Sequence, residues 1–431
     1  MQIILLSGGS GKRLWPLSNE IRAKQFIKIF AGNSEPESML QRILRQIKKI
    51  PAEFSITVST SKLQEKILRK YVDSDTNISV EPCRRNTFPA IALTATFLHD
   101  VRKINSQEPL VICPVDPYVE DNFFAEFKDM ANLVGEANLI LMGIAPTYPG
   151  EKYGYIIPAS ADKISDVLEF KEKPDAQTAT KYIQAGGLWN GGVFACKLSY
   201  VLSREILGTD SYAALLKNYP ALPNISFDYA VVEHEKNIKV IRYNGDWKDV
   251  GTWNTLTEVM DSAAIGDVHF DNACQNSHVV NETDMPIIAM GLKNIVVAAG
   301  PDGILVADKA QSSYLKPLAE NIHQQIRFAE KSWGNYRVID IGAESLTIKV
   351  TLNAGNKMRY HSHNFRREVW TIIGGNGRIV LDGAEKFVSA GDVIELPVGV
   401  RHTLIADTNL QAVEVQLGKD INVEDKILWE D

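Results

Sequence analysis

The chain has 431 residues, 45% hydrophobic and 23% charged, which is enough for two or three domains with cores of their own and too balanced for a disordered protein. Its 53 acidic residues against 46 Lys and Arg give a net charge of -7, which excludes a nucleic-acid coat or a binder of anionic membranes, so any phosphate ligand must be met by a local basic pocket. Four cysteines lie far apart without a Cys-x-x-Cys, no apolar run is long enough to span a bilayer, and no leader pattern opens the chain, so a reduced cytoplasmic protein is expected.

Up to about residue 260, short apolar runs alternate with segments of helical period, the pattern of an α/β fold with crossover units around a largely parallel sheet. Strands are expected at Ile3–Leu6, Phe54–Ser59, Ile78–Val80, Leu110–Cys113, Leu139–Gly143, Gly154–Ile157, Val167–Lys171, Gly192–Cys196 and Ile238–Tyr243. Helices are expected at Pro36–Lys48, Ser61–Tyr71, Pro89–Ile104 and Ala176–Ala185. After Trp253 the texture changes to short β-rich runs bounded by Asn, Asp or Gly: Ser277–Val280, Ile287–Met290, Ile295–Ala298 and Gly303–Val306. Lys316–Phe328 reads as a connecting helix, and from Trp333 strands and turns alternate as in a β-sandwich or barrel. Three units follow: 1–262, 263–330 and 331–431.

The first strand runs into Ser7-Gly8-Gly9-Ser10-Gly11-Lys12-Arg13-Leu14-Trp15-Pro16-Leu17-Ser18, followed by Ala23-Lys24-Gln25-Phe26. Glycines without Cβ atoms let several backbone N–H groups turn toward one anion, and Arg13 and Lys24 add the positive charge a triphosphate requires. The spacing is neither that of the Walker A loop nor the Gly-x-Gly-x-x-Gly of dinucleotide folds. Glu81, ahead of Arg84-Arg85-Asn86, ends a strand on the same side as the glycine loop. A carboxylate there suits a base edge with two adjacent donors, as guanine has, or else it pairs with Arg84 or Arg85 or favours the following helix. Asp116 ends a buried strand and Asp249 sits in a Gly-containing turn. If they meet they form a site for Mg²⁺; apart, each is a turn or cap residue. Phe170-Lys171-Glu172-Lys173-Pro174 and Trp189-Asn190-Gly191-Gly192 offer groups for a sugar phosphate, or a solvated charge run and a tight turn.

The C-terminal part holds a second constellation. His361 and His363 share one face of an extended segment, and neighbouring strands can bring Glu368 and His402 to them. Three imidazoles and a carboxylate fit a divalent transition metal such as Zn²⁺, Fe²⁺, Mn²⁺ or Ni²⁺, or line a pocket without one.

Taken in order, Leu-Ser-Gly-Gly-Ser-Gly-x-Arg-Leu-Trp-Pro-Leu-Ser with Lys24-Gln25-Phe26, Glu81-Pro82, Pro114-x-Asp116, Tyr153-Gly154-Tyr155, Glu172-Lys173-Pro174, Trp189-Asn190-x-Gly192, Asp228-Tyr229-Ala230 and Trp247-x-Asp249-Val250-Gly251-x-Trp253 resemble the mannose-1-phosphate guanylyltransferase family over nearly the whole chain. The likeness is to its long bacterial form with a C-terminal mannose-6-phosphate isomerase-like cupin. It implies a Rossmann-like nucleotide-sugar transferase domain with a mixed, mostly parallel sheet, a short left-handed β-helix-like segment and a cupin β-barrel. It also implies transfer of GMP from GTP to mannose 1-phosphate by a cytoplasmic homo-oligomer, a dimer, with Mg²⁺ at the transferase site and a metal such as Zn²⁺ in the cupin. Ser7, Gly8, Gly9, Gly11, Arg13, Glu81, Arg85 and Asn86 would bind nucleotide, with Lys24 at the reacting phosphates. Asp116 and Asp249 would hold Mg²⁺; Gly154, Glu172, Lys173 and Asn190 would take the sugar phosphate; His361, His363, Glu368 and His402 would hold the cupin metal.

The chain departs from the family pattern at Pro117, where histidine is usual, around Pro149-Gly150-Glu151-Lys152, and at His363-Asn364-Phe365, where a histidine run is usual. It also ends Trp429-Glu430-Asp431 in place of a basic ending. The cupin is therefore expected either to interconvert fructose 6-phosphate and mannose 6-phosphate or to be structural. Two further readings stay open: another sugar 1-phosphate or nucleotide, and a non-catalytic sugar-nucleotide or metal sensor.

Overall fold

The computed structural model describes residues 1–9, 12–32, 35–203, 211–322, 326–419, 421 and 425–429. The chain forms two compact units, residues 1–11 with 23–261, and residues 12–22 with 262–431.

In the first unit nine strands form one sheet, in the spatial order Asn77–Glu81, Ser55–Ser61, Gln2–Ser7, Pro109–Pro114, Leu188–Lys197, Leu139–Ile144, Ile238–Tyr243, Ile164–Lys171 and Tyr155–Pro158. All but Leu188–Lys197 and Ile164–Lys171 point the same way, so the mixed, mostly parallel sheet expected from the apolar runs forms. Ile3, Ile4 and Leu5 are fully buried on alternating faces, which is why this strand reads as a continuous apolar run. Its carboxyl end, with those of Ser55–Ser61, Asn77–Glu81 and Pro109–Pro114, delivers Ser7, Glu81 and Asp116 to one edge of the sheet, the side where open α/β sheets bind ligands.

Helices cover both faces. Met39–Ile47 is started by a capping box in which the Ser38 hydroxyl accepts from Gln41 N and the Gln41 side chain accepts from Ser38 N. The helix begins later than Pro36 because Glu37–Ser38 pairs with Lys28–Phe30. The expected helix at Ser61–Tyr71 shrinks to Glu65–Leu68, since Ser61 still pairs with Glu81 in the ladder. A helix at Asp121–Leu133, absent from the expected elements, buries Phe123, Phe124, Phe127 and Met130, roughly 2 kcal/mol for each side chain removed from water.

In the second unit Ala264–Ile265, His278–Asn281 and Ile295–Gly300 pair in parallel, as do Val268–Phe270 and Ile287–Ala289. A further parallel bridge joins Gln275 and Lys293. These ladders advance by roughly 15 to 20 residues per turn, a coil of stacked rungs, and Gly303–Asp308 folds back antiparallel on Ile295–Gly300 to end it. The connecting helix expected over Lys316–Phe328 is confined to Leu315–Glu320, because Phe328 already pairs with Arg337 as part of the next domain's first strand.

That domain is two antiparallel sheets. One has six strands in the order Phe328–Lys331, Gly334–Ile341, Ser345–Leu352, Leu410–Leu417, Arg367–Gly374 and Val393–Leu396. The other has five, in the order Ala384–Ser389, Asn376–Leu381, His402–Ala406, His361–Ser362 and Ile427–Leu428. Val350, Leu352, Trp370, Ile379, Leu404 and Ala412 form the core. Among the described residues no helix is long and apolar enough to cross a membrane, and none of the four cysteines is in a disulfide.

Candidate active site

The glycine loop is held from behind by two buried glutamines. Gln25 Nε2 donates to Ser7 O and Ser7 Oγ (3.2 and 3.1 Å), and Gln64 Nε2 donates to Gly9 O (3.0 Å), which satisfies two loop carbonyls inside the protein. Gly11 lies outside the described residues. Arg13 lies in the segment that belongs to the second unit and is exposed.

Glu81 stands directly beside the loop: a side chain on Gly8 would meet its Oε1 at 3.1 Å. Tyr219 donates to Glu81 Oε2 at 2.7 Å, a contact the sequence did not suggest. A cavity of about 220 Å³, lined by Ser61, Lys62, Glu81, Cys83 and Arg84, opens next to it. Burial pushes the Glu81 carboxyl up to about 7, against the opposing effects of the Tyr219 hydrogen bond and Arg84. Arg85 turns elsewhere: its guanidinium donates to the carbonyls of Pro220 and Arg84. Asn86, at φ +69°, caps the helix Thr87–Thr96 through Thr87 N.

The segments that carry the two aspartates are joined by a ladder of three residues a side. Pro117–Val119 pairs antiparallel with Trp247–Asp249, with Asp249 opposite Pro117 and hence beside Asp116 in the chain. Lys24 Nζ donates to Asp116 Oδ2 at 2.7 Å. Lys24, Asp116 and the glycine loop thus gather at the end of the first strand, with Asp249 on the strand that pairs with Pro117; carboxylates suit Mg²⁺, a hard ion that prefers oxygen.

Glu172, Lys173 and Asn190 also gather, around a fourth group, Asp228. Lys173 Nζ donates to Glu172 Oε1, and Asn190 Nδ2 donates to Asp228 Oδ1 at 2.7 Å. Burial, then the neighbouring Glu172 charge, pushes the Asp228 carboxyl up to about 6. Gly154 is required here: a Cβ would lie 2.5 Å from Glu172 Oε2. Tyr153 packs between Trp189, at a tilt, and Trp247, edge to face, with ring centroids 4.6 and 5.7 Å apart, and so ties the strand carrying Asn190 to the strand carrying Asp249.

In the C-terminal domain His361, His363 and His402 turn ligand nitrogens to within 4.8 Å of one another, all three buried. Each Nδ1 faces a backbone carbonyl, of Arg359 (2.6 Å), Asp425 and Val400 (3.0 Å) respectively, which assigns the proton to Nδ1 and turns each Nε2 to the centre of the group, where His363 Nε2 also lies 3.2 Å from Arg366 Nη2. Burial holds the His361 ring neutral, the form that ligates. His402 Nε2 is buried with no hydrogen-bond partner among the described residues, an unmet acceptor that a cation would satisfy. Glu368 closes the group: its Oε1 is 3.1 Å from His363 Nε2, and it accepts from Arg366 Nε (2.9 Å) and Trp370 Nε1 (3.0 Å). Burial opposes its charge, but the His363 and His402 rings outweigh that and hold it well below the carboxylate range. A cavity of about 240 Å³, lined by Trp333, Tyr336, His361, Arg366, Glu414 and Lys426 among others, reaches this group. Lys426 and Glu414 carry no motif that marks them in the sequence.

Fold and site together define a sugar-nucleotide type of nucleotidyltransferase joined to an isomerase-type β domain. The nucleotidyl transferase family model matches residues 2–264, and the mannose-6-phosphate isomerase C-terminal model matches residues 319–431. A mannose-1-phosphate guanylyltransferase of Salmonella typhimurium is 30% identical over 467 aligned residues, covering 99% of this chain and 96% of its own. That of Escherichia coli is 28% identical over 472, covering 99% and 97%. A solved structure, a mannose-1-phosphate geranyltransferase by its given name, from Thermus thermophilus, superposes with a TM-score of 0.63 at 27% identity, covering 74% of this chain and 98% of that one. The chain belongs to the mannose-1-phosphate guanylyltransferase family.

Proposed function

We propose that the first unit transfers GMP from GTP to mannose 1-phosphate, giving GDP-mannose and pyrophosphate. The observation that carries this is the ladder Pro117–Val119 with Trp247–Asp249, which pairs Asp249 with the residue after Asp116, while Asp116 accepts from Lys24 at the end of the glycine-loop strand. A phosphate oxygen of the sugar attacks the α-phosphorus in line, and pyrophosphate leaves from the opposite side. The nucleophile is already an anion, so the work is alignment and charge neutralisation rather than proton removal.

Asp116 and Asp249 would hold Mg²⁺, which when bound offsets charge on the triphosphate. Lys24 moves its charge from Asp116 to the reacting phosphates, and Ser7, Gly8 and Gly9 offer backbone at the phosphate chain, with Arg13 adding its charge. Glu81 accepts from the two donors on the guanine edge. Gly154, Glu172, Lys173 and Asn190 take the sugar phosphate, with Asp228 fixing Asn190. For the cupin, His361, His363, His402 and Glu368 would hold a transition metal such as Zn²⁺. Arg366 and Lys426 in its cavity favour a phosphorylated sugar, with fructose 6-phosphate and mannose 6-phosphate as the pair to test. Exposed Met285, Ile288, Met290, Ile304 and Val306 on the rungs support a homodimer, and four cysteines outside disulfides suit the cytoplasm.

The deciding experiment is pyrophosphate release with Mg²⁺ across GTP, ATP, UTP, CTP and dTTP, each with mannose 1-phosphate and glucose 1-phosphate. Release confined to GTP with mannose 1-phosphate is expected. Release with another pair keeps the chemistry and replaces the substrate, and silence throughout favours a sensor.

The raised Glu81 carboxyl gives a pH signature. A protonated acid cannot accept from both guanine donors, so KM for GTP should rise about tenfold per pH unit below about 7. The Glu81→Gln protein should lose that slope. Because the folded carboxyl keeps a proton that the unfolded chain gives up from its ordinary value of 4.5, this group's contribution to stability is fully present below that value. It is lost as pH rises to about 7, by something of order 3 kcal/mol. A KM for GTP that stays flat from pH 5.5 to 8 would remove Glu81 from the base.

A further inference from the structure

The stretch Trp15-Pro16-Leu17-Ser18 is part of the signature that begins at Ser7, yet nothing in the reaction uses it. In the structure it belongs, with the rest of residues 12–22, to the second unit and packs on that unit's rung stack. Leu14, Pro16, Leu17 and Ser18 are buried, and the turn Lys12–Leu14 lies against the helix Leu315–Glu320. Trp15 lies over Gly303 so closely that a Cβ there, at φ +148°, would be 2.4 Å from the indole ring.

Two polar locks follow. Asn19 Nδ2 donates to Asp302 Oδ2 at 2.8 Å, while Asn19 Oδ1 accepts from Ile21 N and Arg22 N, which folds the chain into a tight turn at this point. The other oxygen of Asp302 accepts from Arg327 N at 2.7 Å, so one buried carboxylate holds two distant segments. Arg22 forms a two-pronged ion pair with Glu282, at 2.6 and 2.9 Å, with its guanidinium centre 5.7 Å from the Phe328 ring centroid. Both ends of the segment 12–22 are therefore fixed to residues that lie beyond the 2–264 match to the nucleotidyl transferase model.

We propose that Asp302 and Glu282 are positioning residues of the transferase: by locking Asn19 and Arg22 they fix the loop that presents Arg13 to the triphosphate. This rests on the reading of Arg13 as a phosphate-binding residue. Neither side chain touches substrate, and each acts through the backbone it holds. A loop released from these locks must be ordered again by the nucleotide, which weakens nucleotide binding and leaves the sugar phosphate alone.

The test uses the full-length chain and pyrophosphate release. In Asp302→Asn two amide donors face one another, and in Glu282→Gln the charge pair is lost. KM for GTP should rise about tenfold in each, with KM for mannose 1-phosphate unchanged. The exchange Asn19→Asp with Asp302→Asn restores one donor facing one acceptor and should return KM for GTP to within about twofold of the parent, a rescue that general destabilisation does not produce. Arg13→Ala separates the two levels of the argument. If it leaves KM for GTP unchanged, the reading beneath the proposal fails and the proposal with it. If it raises KM while Asp302→Asn and Glu282→Gln, folded as the parent is by thermal melt, do not, the locks have no positioning role and the proposal alone is overturned.

Discussion

Lys24→Ala should lower pyrophosphate release from GTP and mannose 1-phosphate by about 10³-fold, with the thermal midpoint moving by no more than ~3 °C. Lys24 makes its visible bond to Asp116, whose side chain is 36% exposed, so removing the lysine leaves a carboxylate that water can still solvate. A partly exposed pair of this kind contributes about 1 kcal/mol at most. The catalytic loss is far larger because a fixed charge beside the α-phosphorus acts where negative charge accumulates and where water is displaced. Asp249→Asn should fall by a similar factor but behave differently: raising Mg²⁺ should recover part of its rate, whereas Lys24→Ala should not respond. Equal responses to Mg²⁺ in both proteins, or a collapse of the melting transition in either, would assign these residues to structure rather than to phosphate chemistry.

The second large effect belongs to the other domain. The purified chain should carry about one transition-metal ion, by elemental analysis, and His361→Ala close to none, since a neutral imidazole is a principal ligand for such ions. Removing the metal from the parent with a chelator should lower its melting temperature by several degrees, and the variant should be insensitive to chelator, because an ion bound only by the folded state stabilises it by mass action. Transferase activity should survive within about twofold, as His361 sits among groups of the cupin only. Full metal content in His361→Ala, or a parent indifferent to chelator, would make the three rings the lining of a metal-free pocket.

How much of this could be read from the chain depended on the distance over which each signal acts. Continuous apolar runs such as Leu110–Cys113 announced buried strands, and the alternation of His361 and His363 announced a shared face, because both follow from the local geometry of an extended chain. The pairing of Asp249 with Pro117, the residue after Asp116, could not be read. It depends on two strands of three residues each, separated by more than a hundred positions, and so short that neither has a periodicity. The helix Asp121–Leu133 was legible though it stands outside the expected elements: Phe123, Phe124, Phe127, Met130 and Ala131 recur at the three- and four-residue spacing of a buried helix face. Side-chain direction was the least legible. Nothing in Glu81-Pro82-Cys83-Arg84-Arg85 says that Arg85 turns to the Pro220 carbonyl, or that Tyr219 reaches Glu81. The Lys316–Phe328 expectation failed because a strand claimed Phe328, a pairing decided by tertiary structure over helix propensity.

The placement of residues 12–22 in the second unit has a consequence for synthesis. Gly303 and Gly300, against which Trp15 and Leu17 settle, emerge from the ribosome about 280 residues after them, on the order of tens of seconds at usual elongation rates. The first unit can complete its sheet in that interval, since its last strand, Ile238–Tyr243, precedes the rungs. It must do so with an apolar loop still looking for its seat, and during translation that loop is a natural place for a chaperone to bind.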